Sequence, residues 1–429
     1  MDSTRAASGV AGAAQERGWQ HNGRVLLAAG FIALVITAVM LIKLGEADFK
    51  DAEVWWNAGR RVLAGETVVG IRDYRYPPAF AVMISPLAAA PLYVFCFTWY
   101  LVNLGLFVVS LRLAVQLVNP ASSWSELPRY WLPVLLVAVF AIDNLFLGQT
   151  NVLVMLLVYW ALLEVSRKRE WLAGIPLAGA IAVKVFPATL IGYLAYRLRV
   201  KAVVATVAAS LLFMLVVPAP VRGARRNYEE TRAWWVRVVE PYLSRGKAGD
   251  WGQHALDFGN QSLQAVAHRY LTNVNAYVIA RDPQRSLYVN FADLTPKAVN
   301  LILLALFAAL GVSFVAASGL RRPSDRLQQA TEYSLAVILV LLVSALSWTY
   351  FFVMLLLPIA TALTLLARGS LRPGTAWMLK AGLVASGLAA PLLMSSYARA
   401  LGHVFWATMV LYVGLAMACW DLRRARTAA

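Results

Sequence analysis

Long apolar runs recur through this chain, and several approach the roughly 20 residues that a helix needs to cross a bilayer. They fall at about 25–44, 130–147, 151–165, 201–217, 297–319, 331–347, 350–367, 376–395 and 403–420, with less regular apolar stretches at 79–117 and 171–196. Hydrocarbon offers a backbone no hydrogen-bond partners, so such segments must be helical. The expected fold class is therefore an all-α polytopic membrane protein. Composition agrees: 60% of residues are hydrophobic and 14% charged, against about a quarter charged in a soluble domain. A soluble helical array of this composition would aggregate.

The net charge of +17 arises from 39 Lys and Arg against 22 Asp and Glu. Clustered basic patches are the footprint of a nucleic-acid partner. Here, however, the basic residues sit in short runs between apolar segments: Arg167-Lys168-Arg169, Arg197 with Arg199 and Lys201, Arg321-Arg322 with Arg326, and Arg423-Arg424 with Arg426. That is the positive-inside pattern that orients membrane helices, and no nucleic-acid partner is expected. Residues 1–22 are polar, and no small-residue cleavage site closes the first apolar run, so it is expected to remain as a signal anchor.

From Lys184 onward the basic clusters alternate consistently and place both termini in the cytoplasm, which requires an even number of spans. Thirteen candidate segments then reduce to about 12 transmembrane helices, with one piece between 77 and 147 a half-span. Residues 79–117 are broken by Pro86 and Pro91, as one interrupted span or a hairpin of two. The expected organisation is a cytoplasmic tail at 1–22, one transmembrane domain at 23–421 and a second tail at 422–429. The polar loops at 45–78 and 218–296, the Gly148-Gln149 turn, Lys184 and Trp348 are expected on the extracytoplasmic side.

The loop at 45–78 is nearly balanced: Lys50, Arg60, Arg61, Arg72 and Arg75 face Glu46, Asp48, Asp51, Glu53, Glu66 and Asp73. Aspartates beside a membrane are costly unless solvated, paired or used. Val54-Trp55-Trp56, Val62-Leu63 and Gly65 predict a short amphipathic helix on the membrane surface, with tryptophans at headgroup level. Pro77-Pro78 would start the next helix. Any one of Asp48, Asp51, Glu53 and Asp73 is adequately explained as solvated, or as paired with Arg60 or Arg61. As a set at the bilayer edge, they point to a general base.

Lys184 stands at the centre of 171–196, in Lys184-Val-Phe-Pro187, with basic clusters at both ends. One span would leave positive charge on both sides; a helical hairpin with Lys184 at its tip fits the charges, although its arms are short. An intramembrane ammonium marks a site, a pathway or a pair. Lys184 would bind a phosphate as a point charge or pair with Asp143. The polar patch Phe258-Gly-Asn260-Gln261-Ser262-Leu263 could hydrogen-bond a sugar, but these are also ordinary turn residues. His254, His268 and His403 stand singly, and Cys96 and Cys419 lie in apolar runs, so neither a metal site nor a disulfide framework is expected. Neither a P-loop nor a dinucleotide fingerprint is present, which argues against a nucleotide-linked donor.

Short pieces along most of the chain carry a resemblance. They are Asp51-Ala-Glu-Val-Trp-Trp-Asn-Ala-Gly with Leu63-Ala-Gly65, Tyr76-Pro77-Pro78 with Pro86-Leu87, and Trp99 with Asn103. Next come Asn144 with Gly148-Gln149 and Asn151, then Ala173-Gly174 with Lys184 and Pro187. Last are Asn260-Gln261-Ser262-Leu263 with Arg269, and Ser344 with Ser347-Trp348 and Pro358. In order and spacing the chain resembles glycosyltransferase family 87, a group of membrane enzymes with the GT-C fold. The resemblance implies a polyprenyl-phosphate sugar donor, typically mannose, and a glycolipid or glycan acceptor. It implies an extracytoplasmic site in a bacterial plasma membrane and an aspartate general base.

By position before Val-Trp-Trp, that base maps to Asp51, with Asp48 as the alternative. Lys184, Arg60 and Arg61 are implied for the donor phosphate. Tyr76, Asn144, Gln149, Asn151, Asn260, Gln261, Trp348 and Tyr350 are the expected substrate contacts. Members often carry histidine shortly after the Ser-Trp pair, where this chain has Thr349-Tyr350-Phe351. The expected chemistry is a single inverting displacement that requires no metal or cofactor. Two rivals remain at this level. A lipid-linked-sugar flippase would use the same buried charges, although the chain shows no internal repeat. A non-catalytic scaffold would tolerate amides in place of the acids.

Overall fold

The computed structural model describes residues 50–71, 73–241, 249–278, 286–323 and 325–428. The first apolar run and Asp48 lie outside the described residues. Among the described residues there is no β-strand, only an isolated antiparallel bridge between Asn260 and Trp348. Helix α1 (Lys50–Leu63) leads into α2 (Pro78–Ala88) and α3 (Leu92–Val118). Four further apolar helices follow: α4 (Trp131–Leu147), α5 (Asn151–Ser166), α6 (Glu170–Val183) and α7 (Thr189–Tyr196). Helix α8 (Val200–Leu211) continues through a π turn at 212–216. The polar region holds α9 (Ala224–Trp234) and α10 (Leu263–Leu271). The remainder comprises α11 (Pro296–Ser318), α12 (Arg326–Val343), α13 (Leu356–Arg368), α14 (Pro373–Leu392) and α15 (His403–Ala428).

Seven of the described helices are long and apolar enough to cross a membrane: Leu92–Val118, Val200–Arg222, Pro296–Ser318, Arg326–Val343, Thr349–Arg368, Pro373–Leu392 and His403–Ala425. This is an all-α, multi-pass architecture. The stretch at 79–117 breaks at 89–91, where Pro91 caps α3. At 11 residues, α2 is about 16 Å long and cannot span a hydrocarbon core of about 30 Å by itself.

Small residues let the helices touch. A Cβ on Gly174 would fall 2.4 Å from the Ala205 Cβ, so α6 and α8 meet backbone to backbone. Gly382 against Leu411 and Gly414 against Leu379 do the same for α14 and α15. Without a hydrophobic drive between helices in lipid, such close approach supplies the attraction. Helix α12 lies at the centre, and its Glu332 is fully buried against Arg197. The guanidinium binds both carboxylate oxygens, at 2.8 and 3.0 Å, and donates to the carbonyls of Ser318, Gly319 and Arg321.

The hairpin expected at 171–196 is present. Helices α6 and α7 are separated by an extended Lys184 and a short 3₁₀ turn, Phe186–Ala188. At the open end of the hairpin, Arg199 reaches Glu170 at 2.8 Å. The 14 residues of α6 put Lys184 about 21 Å from that ion pair.

Candidate active site

Helix α1 has a buried stripe formed by Ala52, Trp55, Ala58 and Val62, with Glu53, Asn57, Arg60 and Arg61 on its exposed face. Gly59 packs this stripe onto α2, where an added Cβ would lie 2.5 Å from the Ala88 Cβ. Asp51 sits in the first turn, where the helix dipole favours a carboxylate. Trp55 does not lie outward as expected, and Trp56 is half-buried. Trp55 is buried and donates to the Gly148 carbonyl at 2.8 Å, while Trp56 donates to Ala90 at 2.9 Å. Each indole N–H is thus satisfied by a protein carbonyl rather than by water.

Gly148 ends α4 with φ +65°. The amides of Gly148 and Gln149 close onto Leu145 and Asn144 at 3.3 and 2.9 Å, a Schellman turn in which glycine takes the left-handed position. Trp99 joins Trp55 on the Gly148 carbonyl, at 2.9 Å. A Cβ on Gly148 would meet the Ala52 Cβ at 2.6 Å. The turn is thereby pressed against the residue that follows Asp51.

This contact delivers Gln149 to Asp51. The Gln149 Nε2 donates to Asp51 Oδ2, and its Oε1 accepts from Lys184 Nζ at 3.1 Å. A second Lys184 proton goes to Asn151 Oδ1 at 2.9 Å. Asn151 donates to Asn144 Oδ1 at 3.1 Å, and Asn144 donates to the Tyr350 carbonyl at 2.6 Å. The ammonium thus polarises two amide chains, one ending on the Asp51 carboxylate, and bonds so linked strengthen one another.

Three rings surround the same ammonium: Phe351 at 4.4 Å, Tyr76 at 5.3 Å and Tyr350 at 5.7 Å from Nζ to the ring centroid. Aromatic faces attract a desolvated cation. Burial raises the Tyr76 phenol well above its ordinary range, a hydrogen bond from Thr150 lowers it, and the Asp51 charge raises it further. The phenol therefore keeps its proton at neutral pH. Asp51 is the carboxylate whose field acts on Lys184, whereas Asp143 accepts from Thr349 Oγ1 at 3.3 Å. The alternative of a Lys184–Asp143 pair gives way to a Lys184–Gln149–Asp51 line.

The second polar region clamps the first. Arg222 and Glu230 form a buried pair at 2.5 Å, and Arg222 also donates to the Glu66 carbonyl at 2.6 Å. Glu230 accepts from the Val68 amide, and Arg226 donates to the Gly65 carbonyl. Trp234 and Arg237 donate to the carbonyls of Arg75 and Tyr74, at 3.0 and 2.8 Å. The loop that carries Tyr76 is therefore held by side chains about 160 residues away in sequence.

The sequence-predicted residues thus separate into groups. Asp51, Lys184, Tyr76, Asn144, Gln149, Asn151 and Tyr350 form one connected network. Asn260, Gln261 and Trp348 belong to a neighbouring one. Asn260 is fully buried, with its amide donating to Ala255 and Ala345 and its oxygen accepting from the amides of Ser262 and Ser347. Gln261 donates to the carbonyls of Phe258 and Arg399. Arg60 and Arg61 are exposed at the far end of α1, about 14 Å from Asp51 along the helix. Arg60 covers Trp56, and Arg61 lies 3.8 Å from Glu66. Sequence reasoning missed Phe351, an apolar residue in an apolar run. It also missed the clamp, whose signal was limited to polar residues in an amphipathic stretch.

The fold and this network place a buried cation and a carboxylate, joined through an amide, within a multi-pass membrane protein. Residues 74–345 match glycosyltransferase family 87, and the chain belongs to that family. The chain is also similar to a polyprenol-phosphate-mannose-dependent alpha-(1-2)-phosphatidylinositol pentamannoside mannosyltransferase of Mycobacterium tuberculosis (strain CDC 1551 / Oshkosh). The two are 29% identical over 147 residues, covering 32% of this chain and 33% of the relative. No solved structure matches. Asp51 precedes the family-matched region, so its assignment rests on geometry.

Proposed function

We propose that this enzyme transfers a hexose, with mannose the leading candidate, from a polyprenyl-phosphate sugar to a hydroxyl of a glycolipid or glycan acceptor. The reading is carried by the hydrogen-bonded line Asp51–Gln149–Lys184 inside a family 87 chain. The relative's dependence on polyprenol-phosphate-mannose supports the donor and the sugar. The arrangement is a GT-C domain of about 12 crossings in a bacterial plasma membrane, with the site on the extracytoplasmic face. Seven helices long and apolar enough to cross a membrane support a multi-pass domain.

In this scheme Asp51 accepts the proton of the acceptor hydroxyl. The acceptor oxygen attacks the anomeric carbon as the bond to the phosphate oxygen breaks, with inversion. Lys184 takes the charge that develops on the leaving lipid phosphate. Gln149 holds base and cation at a fixed spacing and keeps each charge available. Tyr76, Tyr350 and Trp348 offer ring faces and hydroxyls to the sugar. Asn260 and Gln261 hold the loop that presents Trp348. Arg60 and Arg61 lie about 14 Å beyond Asp51 along α1.

The test is transfer from synthetic short-chain polyprenyl-phosphate mannose in membranes containing the wild type or Asp51→Asn. The variant is expected to lose about 10²–10⁴-fold in rate while keeping its thermal midpoint in detergent. An Asp51→Asn enzyme that turns over at the wild-type rate removes Asp51 as base. A folded wild type inactive on every lipid-phosphate sugar removes the donor class.

A further inference from the structure

A groove of about 570 Å³ lies at the end of the bundle opposite Lys184, where the turns at 167–169 and 197–201 meet Arg322. Helices α5 and α7 both end here in the same Schellman turn. The amides of Lys168 and Arg169 close onto Val165 and Glu164 at 3.0 and 2.9 Å, and those of Leu198 and Arg199 onto Ala195 and Leu194 at 2.9 and 2.8 Å. The left-handed position is occupied by Lys168 (φ +64°) in one turn and Leu198 (φ +53°) in the other. Glycine is the usual occupant of that position. The two larger side chains instead line the groove.

The charge there is only partly compensated. Glu170 is taken by Arg199 at 2.8 Å, and Glu164 is shared by Arg167 at 3.0 Å and Arg169 at 3.8 Å. Among the described residues, Lys168 and Lys201 enter no ion pair, and both are exposed on the groove beside Arg169 and Arg322. The same groove has apolar walls that are open to the surroundings. Trp171, Val200 and Leu198 are 59%, 62% and 72% exposed. Cations beside bare apolar wall match an anionic head joined to acyl chains, and basic pockets between membrane helices bind such heads.

We infer that this groove binds the phosphate headgroup of an anionic phospholipid, at a site separate from the reaction centre. Helix α6 sets the separation at about 21 Å.

The full-length protein in detergent is titrated with phosphatidylglycerol, phosphatidylcholine of the same acyl chains, or inorganic phosphate, and binding is read by native mass spectrometry and thermal midpoint. Phosphatidylglycerol is expected to bind at least tenfold more tightly than phosphatidylcholine. Lys168→Gln and Lys201→Gln are each expected to weaken that binding roughly fivefold. Lys168→Gly fits the left-handed backbone, so its equal loss of binding comes without misfolding. Arg368→Gln, which removes an exposed cation from the end of α13, should leave binding unchanged. Equal affinity for the two lipids, or an Arg368→Gln loss as large as the lysine losses, overturns the inference. Displacement of phosphatidylglycerol by millimolar inorganic phosphate also overturns it and assigns the groove to a soluble anion.

Discussion

Replacing Gly148 by alanine probes the contact on which the placement of Asp51 depends. The new Cβ would lie 2.6 Å from the Ala52 Cβ, 3.3 Å from its Cα and 3.4 Å from its amide nitrogen, with φ held at +65°. The left-handed backbone costs an alanine about 1–2 kcal/mol. Overpacking against a helix that is itself wedged on α2 adds about 1–3 kcal/mol, for a total of roughly 2–5 kcal/mol. Ala52→Gly alone costs about 1 kcal/mol of helix propensity, and in the double variant it removes the steric part while the backbone part remains. Denaturant midpoints of the four proteins in detergent form a cycle with a favourable coupling of about 1–3 kcal/mol. Transfer activity should follow the same pattern, because displacing Ala52 displaces Asp51: low in Gly148→Ala, and partly restored in the double variant. Additivity within about 0.5 kcal/mol would falsify the close approach and the positioning argument built on it.

Other perturbations address the buried charges. Lys184→Met should lower kcat/KM for the lipid-phosphate sugar about 10²–10³-fold in steady-state kinetics, the range for losing one fixed donor to a developing anion. Lys184→Arg should recover less than a tenth of that activity, because a planar five-donor fork does not fit among three rings arranged for a compact ammonium. Glu332→Gln should destabilise the fold by about 3–5 kcal/mol in denaturant unfolding, because Arg197 keeps its buried charge. The rate per folded molecule should stay unchanged.

Elements governed by local chemistry were legible in the sequence. Val54-Trp55-Trp56, Val62-Leu63 and Gly65 announced the amphipathic α1, and Pro78 starts α2. The basic residues around 171–196 imply the hairpin that the Glu170–Arg199 pair closes. An apolar stripe, however, does not say whether protein, lipid or headgroup covers it, and Trp55 turned out to be covered by protein. Polar side chains were equally ambiguous. Gln149 and Asn260 are both buried amides, but Gln149 links two charges and Asn260 links only backbone groups. The separation of Arg60 and Arg61 from Asp51 was accessible from helix rise alone, since both lie more than two turns beyond it. The clamp of α9 on the loop at 65–76 was not, because it joins distant segments through carbonyls that every residue carries.

The cage around Lys184 has a further consequence for the timing of biosynthesis. Asp51 and Phe351 are separated by about 300 residues, which a ribosome adds in roughly 15–60 s at about 5–20 residues per second. During that interval the nascent chain already holds Asp51, and later Gln149 and Lys184, but lacks two of the three rings and the Tyr350 carbonyl that ends the amide chain. An arrested or truncated chain therefore carries an incomplete centre, and the network closes only when Tyr350 and Phe351 fold in.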